Sequence, residues 1–180
     1  MTRDRVGENE LGSFEPVAGG AGPSQGPEVK DLHVVLVEPE IHWNTGNAGR
    51  TCLAVGAQLH LVRPLGFSLE DKEVRRAGLD YWPRVRPEVW SSWTDFERAL
   101  PALGTPFFFT SRAVRQFQEV AYSRPAVLVF GRESVGLPPE LLARHAADTV
   151  AIPMRDAELR SLNLSTSVAL AAYEARRQWR

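Results

Sequence analysis

Short apolar, β-branched runs alternate along this chain with amphipathic stretches. Residues 32–37 (LHVVLV) form a continuous apolar run with the length of one buried strand. Residues 48–55 read as a helix, entered through the capping chemistry of Asn44-Thr45-Gly46-Asn47 and closed at Gly56. Residues 59–62 predict a second strand, and 71–77 a short helix ending at Gly78. Residues 94–100 predict a helix in which Thr94 is the cap and Glu97 completes a capping box. Residues 107–109, 126–130 and 149–152 read as strands, and 138–145 as a helix with proline in its first turn. Residues 163–179 form a long final helix with Leu164, Val168, Ala171, Ala172 and Ala175 along one face. Strand and helix in this order predict an α/β fold with a mostly parallel sheet.

The first thirty residues break the pattern. They hold six glycines and three prolines and almost no periodic apolar positions. Such a stretch does not bury enough surface to offset its ordering entropy, so residues 1–30 are expected to be a disordered tail before one domain at 31–180.

Composition narrows the function. The chain has 180 residues with 21 Lys+Arg against 22 Asp+Glu, which excludes a globally basic nucleic-acid binder. The tail carries three basic and five acidic groups, a net of -2, so the body carries +1. Lys30 and Lys72 are the only lysines, and the other nineteen basic residues are arginines, which hold phosphate in a fork geometry. Cys52 is the single cysteine and the four histidines are dispersed, so no disulfide framework or metal site is expected. No apolar run approaches the ~20 residues of a membrane span, and the N-terminus has no secretory character. A cytoplasmic protein is the default expectation.

Familiar nucleotide and nucleophile signatures fail. Gly20-x-Gly22 has Gln25 where a third glycine is needed, and neither lysine follows a glycine-rich turn. In Gly131-Arg132-Glu133-Ser134-Val135-Gly136 the serine stands one residue too late for a nucleophile elbow. Three other segments each follow a predicted strand and open a helix: residues 38–50, 129–138 and 152–165. Ligands bind outside the carboxyl ends of strands in open α/β sheets, so these loops are candidates for one site. Singly, each is equally a plain capping loop.

The residues in those loops resemble a known family. Asn44-Thr45-Gly46-Asn47-x-x-Arg50, Phe130-Gly131-x-Glu133-x-x-Gly136-Leu137-Pro138 and Ile152-Pro153-Met154 with Ser161-Leu162-Asn163-Leu164-Ser165 are similar to the three motifs of SPOUT methyltransferases of the SpoU branch. Arg75-Arg76-Ala77-Gly78-Leu79-Asp80-Tyr81 and Tyr173-Glu174-Ala175-Arg176-Arg177-Gln178 point to its small tRNA 2′-O-methyltransferases acting on the wobble cytidine or uridine. The resemblance covers about residues 32–179. It implies a six-stranded parallel sheet with a C-terminal trefoil knot, S-adenosylmethionine as cofactor, tRNA as substrate and a homodimer, with no metal and no membrane.

By matching position the resemblance assigns cofactor contacts to Phe109, Gly131, Ile152, Ser161 and Leu162. Arg50 matches the catalytic arginine. A guanidinium holds its proton too tightly to act as a base, so a phosphate clamp that also stabilises a developing alkoxide is expected. Asn163 is expected to orient the ribose or that arginine, and Asn44, Arg155 and Tyr173 to face the substrate. Arg75, Arg76, Arg84, Arg86 and Arg160 are further candidates for RNA contact. The apolar stripe of the last helix is expected to supply the dimer interface. His42-Trp43 stands where the family usually has prolines. Two alternatives stay open: the same methylation at another tRNA position or on rRNA, and a non-catalytic RNA-binding module.

Overall fold

The computed structural model describes residues 30–69, 81–156 and 158–180. The expected tail and the 71–77 helix, with Arg75 and Arg76, lie outside the described residues. Six strands, β1 (Leu32–Val37), β2 (Gln58–Val62), β3 (Glu88–Trp90), β4 (Thr105–Phe109), β5 (Ala126–Phe130) and β6 (Thr149–Val150), form one sheet in the order β3-β2-β1-β5-β4-β6. Every pairing is parallel. Among the described residues five α-helices flank them: α1 (His42–Val55), α2 (Trp82–Val85), α3 (Trp93–Leu103), α4 (Pro139–Arg144) and α5 (Leu164–Gln178).

Strand alternation sorts the core into two layers. Leu32, Val34, Leu36, Leu59, Leu61, Phe107, Phe109, Ala126, Leu128, Phe130 and Val150 face α1, α2 and α5. Val35, Val37, Val62, Phe108, Val127 and Val129 face α3 and α4 through Phe96, Leu100 and Leu141. Burial on both faces is what made the strands read as unbroken apolar runs. Cys52, on the α1 side, is 1 % exposed, and burial pushes its thiol up to about 12. A thiol reagent is therefore expected to leave the native protein unlabelled at neutral pH and to titrate one thiol per chain after unfolding; rapid native labelling would contradict this packing.

Several boundaries differ from the sequence reading. Helix α1 begins at His42, six residues before the predicted start, and its cap Ile41 makes no side-chain capping bond. Ser92, not Thr94, caps α3, accepting from the Asp95 N–H at 3.2 Å, while Glu97 instead faces Arg144 and His145. The last strand ends at Val150, because Ala151 turns to bond the segment after β4: it donates to the Arg115 carbonyl and accepts from the Phe117 N–H. Neither α2 nor β3 was expected, since Pro83 and Pro87 mask so short a helix and strand.

Helix α5 returns across the sheet and is pinned at both ends. At its start Asn163 is the N-cap, accepting from the Ser165 and Thr166 N–H groups. Near its end Arg176 donates to the carbonyls of Val55 and Gly56 and pairs with Asp31 at 2.8 Å. Burial pushes the Asp31 carboxyl up, but Arg176 and Arg124 outweigh it and hold the group below the usual carboxylate range. Gln178 and Trp179 bond the backbone of Val120 and Tyr122. The apolar stripe expected at a dimer interface is instead consumed inside the protomer: Val168, Ala171, Ala172 and Ala175 are fully buried against α1 and the sheet.

Candidate active site

Chain segments that leave β1 and β5 are bolted to one another. The Glu133 carboxylate accepts from the Glu40 N–H at 2.8 Å, the Ile41 N–H at 3.2 Å and the Asn44 amide at 2.9 Å. Glu40 answers by accepting from the Ser134 N–H and hydroxyl, at 3.0 and 2.8 Å, and Arg132 pairs with Glu38. Glu133 thus supplies an anion to the positive end of α1. The third segment joins through Asn163, whose amide donates to the Asn44 Oδ1 at 2.8 Å. One chain, Asn163 to Asn44 to Glu133, therefore connects all three motifs.

This latch reassigns two residues. Asn44 is 7 % exposed and both ends of its amide are occupied, so it is not free to face a substrate. Asn163 spends its carbonyl oxygen on the cap of α5 and one amide N–H on Asn44, and it makes no hydrogen bond to Arg50. Asn44 and Arg50 are six residues apart on α1, about 120° around the helix, so they point in different directions.

Arg50 is exposed, and its guanidinium lies 4.4 Å from the centroid of the Tyr81 ring. The Tyr81 hydroxyl donates to the Gly46 carbonyl at 3.1 Å, which fixes the ring beside α1. Arg50 makes no ion pair among the described residues, so a fixed positive charge stands ready for an anion. The sequence reading missed Tyr81 and Glu133 as site-builders, though both stood within the segments it singled out.

Of the residues assigned to a cofactor, Phe109 ends β4, Gly131 follows β5 and Ile152 lies two residues past β6. The Phe109 side chain is buried and stacks on Phe130, with centroids 4.5 Å apart, so only its backbone is left for a ligand. Gly131 is required by the chain itself: a Cβ there would lie 2.2 Å from the Gly136 carbonyl carbon and the Leu137 nitrogen. The hairpin bonds between Arg132 and Gly136 set that approach. Ile152 lines a groove of about 460 Å³ together with Ser111, Gln116, Met154, Asp156 and Arg160. Ser161 is exposed and Leu162 half-buried in the segment that leads from this groove to α5. Arg155 and Arg160 are exposed there, and Arg84 and Arg86 are exposed beside α2. Tyr173 is 55 % exposed on the outer face of α5, near Leu170. Among the described residues no three His, Cys, Asp or Glu side chains are grouped as metal ligands, and no helix is long and apolar enough to cross a membrane.

A parallel α/β sheet whose strand-end loops are tied through Asn44, Glu133 and Asn163 defines a class. Residues 31–173 match the SpoU rRNA Methylase family, and the chain belongs to it. That family carries the SPOUT knot fold and uses S-adenosylmethionine. Within it, the chain is 47 % identical over 149 residues to the tRNA (cytidine(34)-2′-O)-methyltransferase of Burkholderia pseudomallei strain 1106a, covering 82 % of this chain and 95 % of that one. It is 47 % identical, with a TM-score of 0.77, to a solved structure concerned with 2′-OH methylation of C/U34 on tRNA, covering 83 % and 97 % of the two chains. An AdoMet-bound rRNA methyltransferase from Sinorhizobium meliloti is 29 % identical with a TM-score of 0.67, covering 84 % of this chain and 57 % of its own. Of the residues assigned to the cofactor, Ile152 lines this groove; Met154 and Leu159 add apolar surface beside it, and Ser111, Gln116, Asp156 and Arg160 add the polar groups that a nucleoside's hydroxyls and amine would meet.

Proposed function

We propose that this protein methylates the ribose 2′-hydroxyl of the wobble nucleotide, cytidine or uridine 34, of tRNA. The observation that carries the reading is the Asn163–Asn44–Glu133 latch, which ties three family motifs together beside an arginine that has no anionic partner among the described residues. Bound S-adenosylmethionine supplies an electrophilic methyl group. Phe109 and Gly131 through their backbones, with Ile152, Ser161 and Leu162, hold it at the strand ends. Glu133, Asn44 and Asn163 act as positioning residues that keep these loops in place. Arg50 grips the substrate phosphate and stabilises charge developing on the ribose oxygen. Arg155 and Tyr173, with Arg84, Arg86 and Arg160, contact the RNA; none of these arginines has a carboxylate partner among the described residues.

A homodimer belongs to this reading. Helix α1, which bears Arg50, packs beside β2, whereas the groove flanks β4 and β6 at the other side of the sheet. A second copy brings the two halves to one ribose. The outward face of α5 offers Leu170 and Tyr173 for the contact, at 41 % and 55 % exposure. Leu170→Glu is expected to shift the species seen by light scattering from two chains to one and to abolish transfer; a monomeric wild type of full activity contradicts the arrangement.

The test uses tRNA transcripts bearing C34 or U34, and the same RNAs with a 2′-deoxyribose at position 34. Nucleoside mass spectrometry is expected to find one 2′-O-methyl group at residue 34 and none on the deoxy substrates. Methylation at another position, or of ribosomal RNA alone, overturns the substrate; cofactor binding with no transfer to any RNA overturns the enzyme.

A further inference from the structure

The outward stripe of α1 holds Trp43, Asn47, Arg50 and Ala54, all exposed and spaced at four, three and four residues. Trp43 and Arg50, seven residues apart, lie within about 20° of one another around the helix. Trp43 is 50 % exposed, while the other four tryptophans are buried or half-buried. Its indole is not adrift. His42 packs against it with centroids 4.5 Å apart, and His42 in turn faces Phe67 at 6.4 Å. The helix end beneath the pair is held by the Glu133 carboxylate on the Glu40 and Ile41 N–H groups. The stripe carries no carboxylate. An exposed aromatic face aligned with a guanidinium that has no ion pair among the described residues is the combination that binds single-stranded RNA: bases stack on the ring while cations hold the backbone.

We propose that Trp43 is a stacking platform for the base of a nucleotide flanking the one whose ribose is methylated. The inference rests on the RNA-methylation reading and adds a binding residue to it. Seven residues of helix span about 10 Å, the rise of roughly three stacked nucleotides at ~3.4 Å each, so the stacked base lies within that distance of the target. A second copy of the chain is the competing occupant. The alignment of Trp43 with Arg50 and the freedom of the stripe from carboxylates favour the polyanion.

The experiment uses the full chain with an anticodon stem-loop that contains the target, comparing wild type with Trp43→Ala and Trp43→Phe. Trp43→Ala is expected to raise KM for the RNA roughly 10- to 100-fold, the value of one lost stacked base, with kcat changed less than about threefold. Affinity for S-adenosylmethionine is expected to be unchanged, and Trp43→Phe to retain most of the RNA affinity. RNAs with one abasic site, moved stepwise through the loop, identify the partner: one position weakens the wild type by a similar factor and adds nothing in Trp43→Ala. Unchanged KM in Trp43→Ala, or additive losses at every abasic position, overturns the platform and leaves the functional reading intact. Conversion of Trp43→Ala from two chains to one assigns the indole to an interface between copies and likewise overturns it. A wild type that neither binds nor methylates the RNA overturns the functional reading, and the platform with it.

Discussion

Replacing Arg50 by alanine slows methyl transfer about 100- to 1000-fold at saturating RNA and cofactor, the usual consequence of removing one donor aimed at charge that develops in the transition state. The structure makes this variant unusually clean. Arg50 is exposed and belongs neither to the core nor to the Glu133 latch. Its aromatic partner among the described residues is Tyr81, whose hydroxyl is anchored independently on the Gly46 carbonyl. Losing an exposed cation–π contact costs about 0.5–1 kcal/mol, which moves the Tm of a chain this size by only ~1–4 °C. Cofactor affinity is expected to hold. Arg50→Lys keeps the charge but loses the two-pronged grip, so an intermediate rate is expected. Turnover of Arg50→Ala within a few-fold of wild type, measured on a tRNA transcript, removes Arg50 from the chemistry.

The second large effect concerns acid and lies on the opposite face of the sheet. Trp90 donates its indole N–H to the His60 Nδ1 at 3.1 Å, which makes Nδ1 an acceptor and puts the His60 proton on Nε2. That proton points at the His33 Nδ1, 2.9 Å away, and the His33 Nε2–H then donates to the Lys30 carbonyl at 3.0 Å. The chain runs in one direction with both imidazoles neutral, and an added proton has no acceptor within it. His60 is fully buried; burial, and then the neighbouring His33, push it down to about 3, and burial lowers His33 as well. Glu88 approaches the His60 Nδ1 at 3.4 Å but is 55 % exposed, so it does not offset the burial.

The sign follows from linkage. Above about pH 7.5 both histidines are neutral in the folded and unfolded chain, and stability is insensitive to their titration. Below it the unfolded chain takes up protons that the folded chain refuses. Stability then falls by about 1.4 kcal/mol per pH unit from His60 alone, down to about pH 3, with His33 adding to the loss. Urea unfolding midpoints between pH 7.5 and 4.5 measure it. His60→Gln keeps an acceptor for Trp90 and a donor for His33 but does not titrate, so its stability at pH 5 relative to pH 7 is expected to drop much less. Parallel pH curves for wild type and His60→Gln contradict the account.

The two-sided core was legible in the chain because a strand buried on both faces leaves no polar positions to confuse its limits. β5 at Ala126–Phe130 and β1 at Leu32–Val37 match the predicted residues, and the buried face of α5 is the predicted one. The motif residues were legible too, as residue types at fixed spacing. The start of α1 was not. Asn44, Thr45, Gly46 and Asn47 are weak helix formers and good caps, so local preference places them before the helix. They are helical because Glu133, some ninety residues away in the chain, holds the helix entry and Asn163 holds Asn44. The alignment of Trp43 with Arg50 becomes visible only once that start is known.

What the sequence by itself determined is the local physics: which runs are strands, which helix face is apolar, and that an arginine follows an Asn-rich segment after a strand. The meaning of individual groups was decided in three dimensions. Glycine at 131 enters through the family resemblance as a cofactor contact, yet its own hairpin already requires a residue without a Cβ there. The apolar face of the last helix reads as a dimer surface, yet α1 covers it. Two histidines read as unrelated, yet neighbouring strands set them 2.9 Å apart with their protons fixed. Hydrophobic periodicity is a property of neighbours in sequence, whereas hydrogen-bond partnership and steric room depend on which distant segments the sheet order brings together.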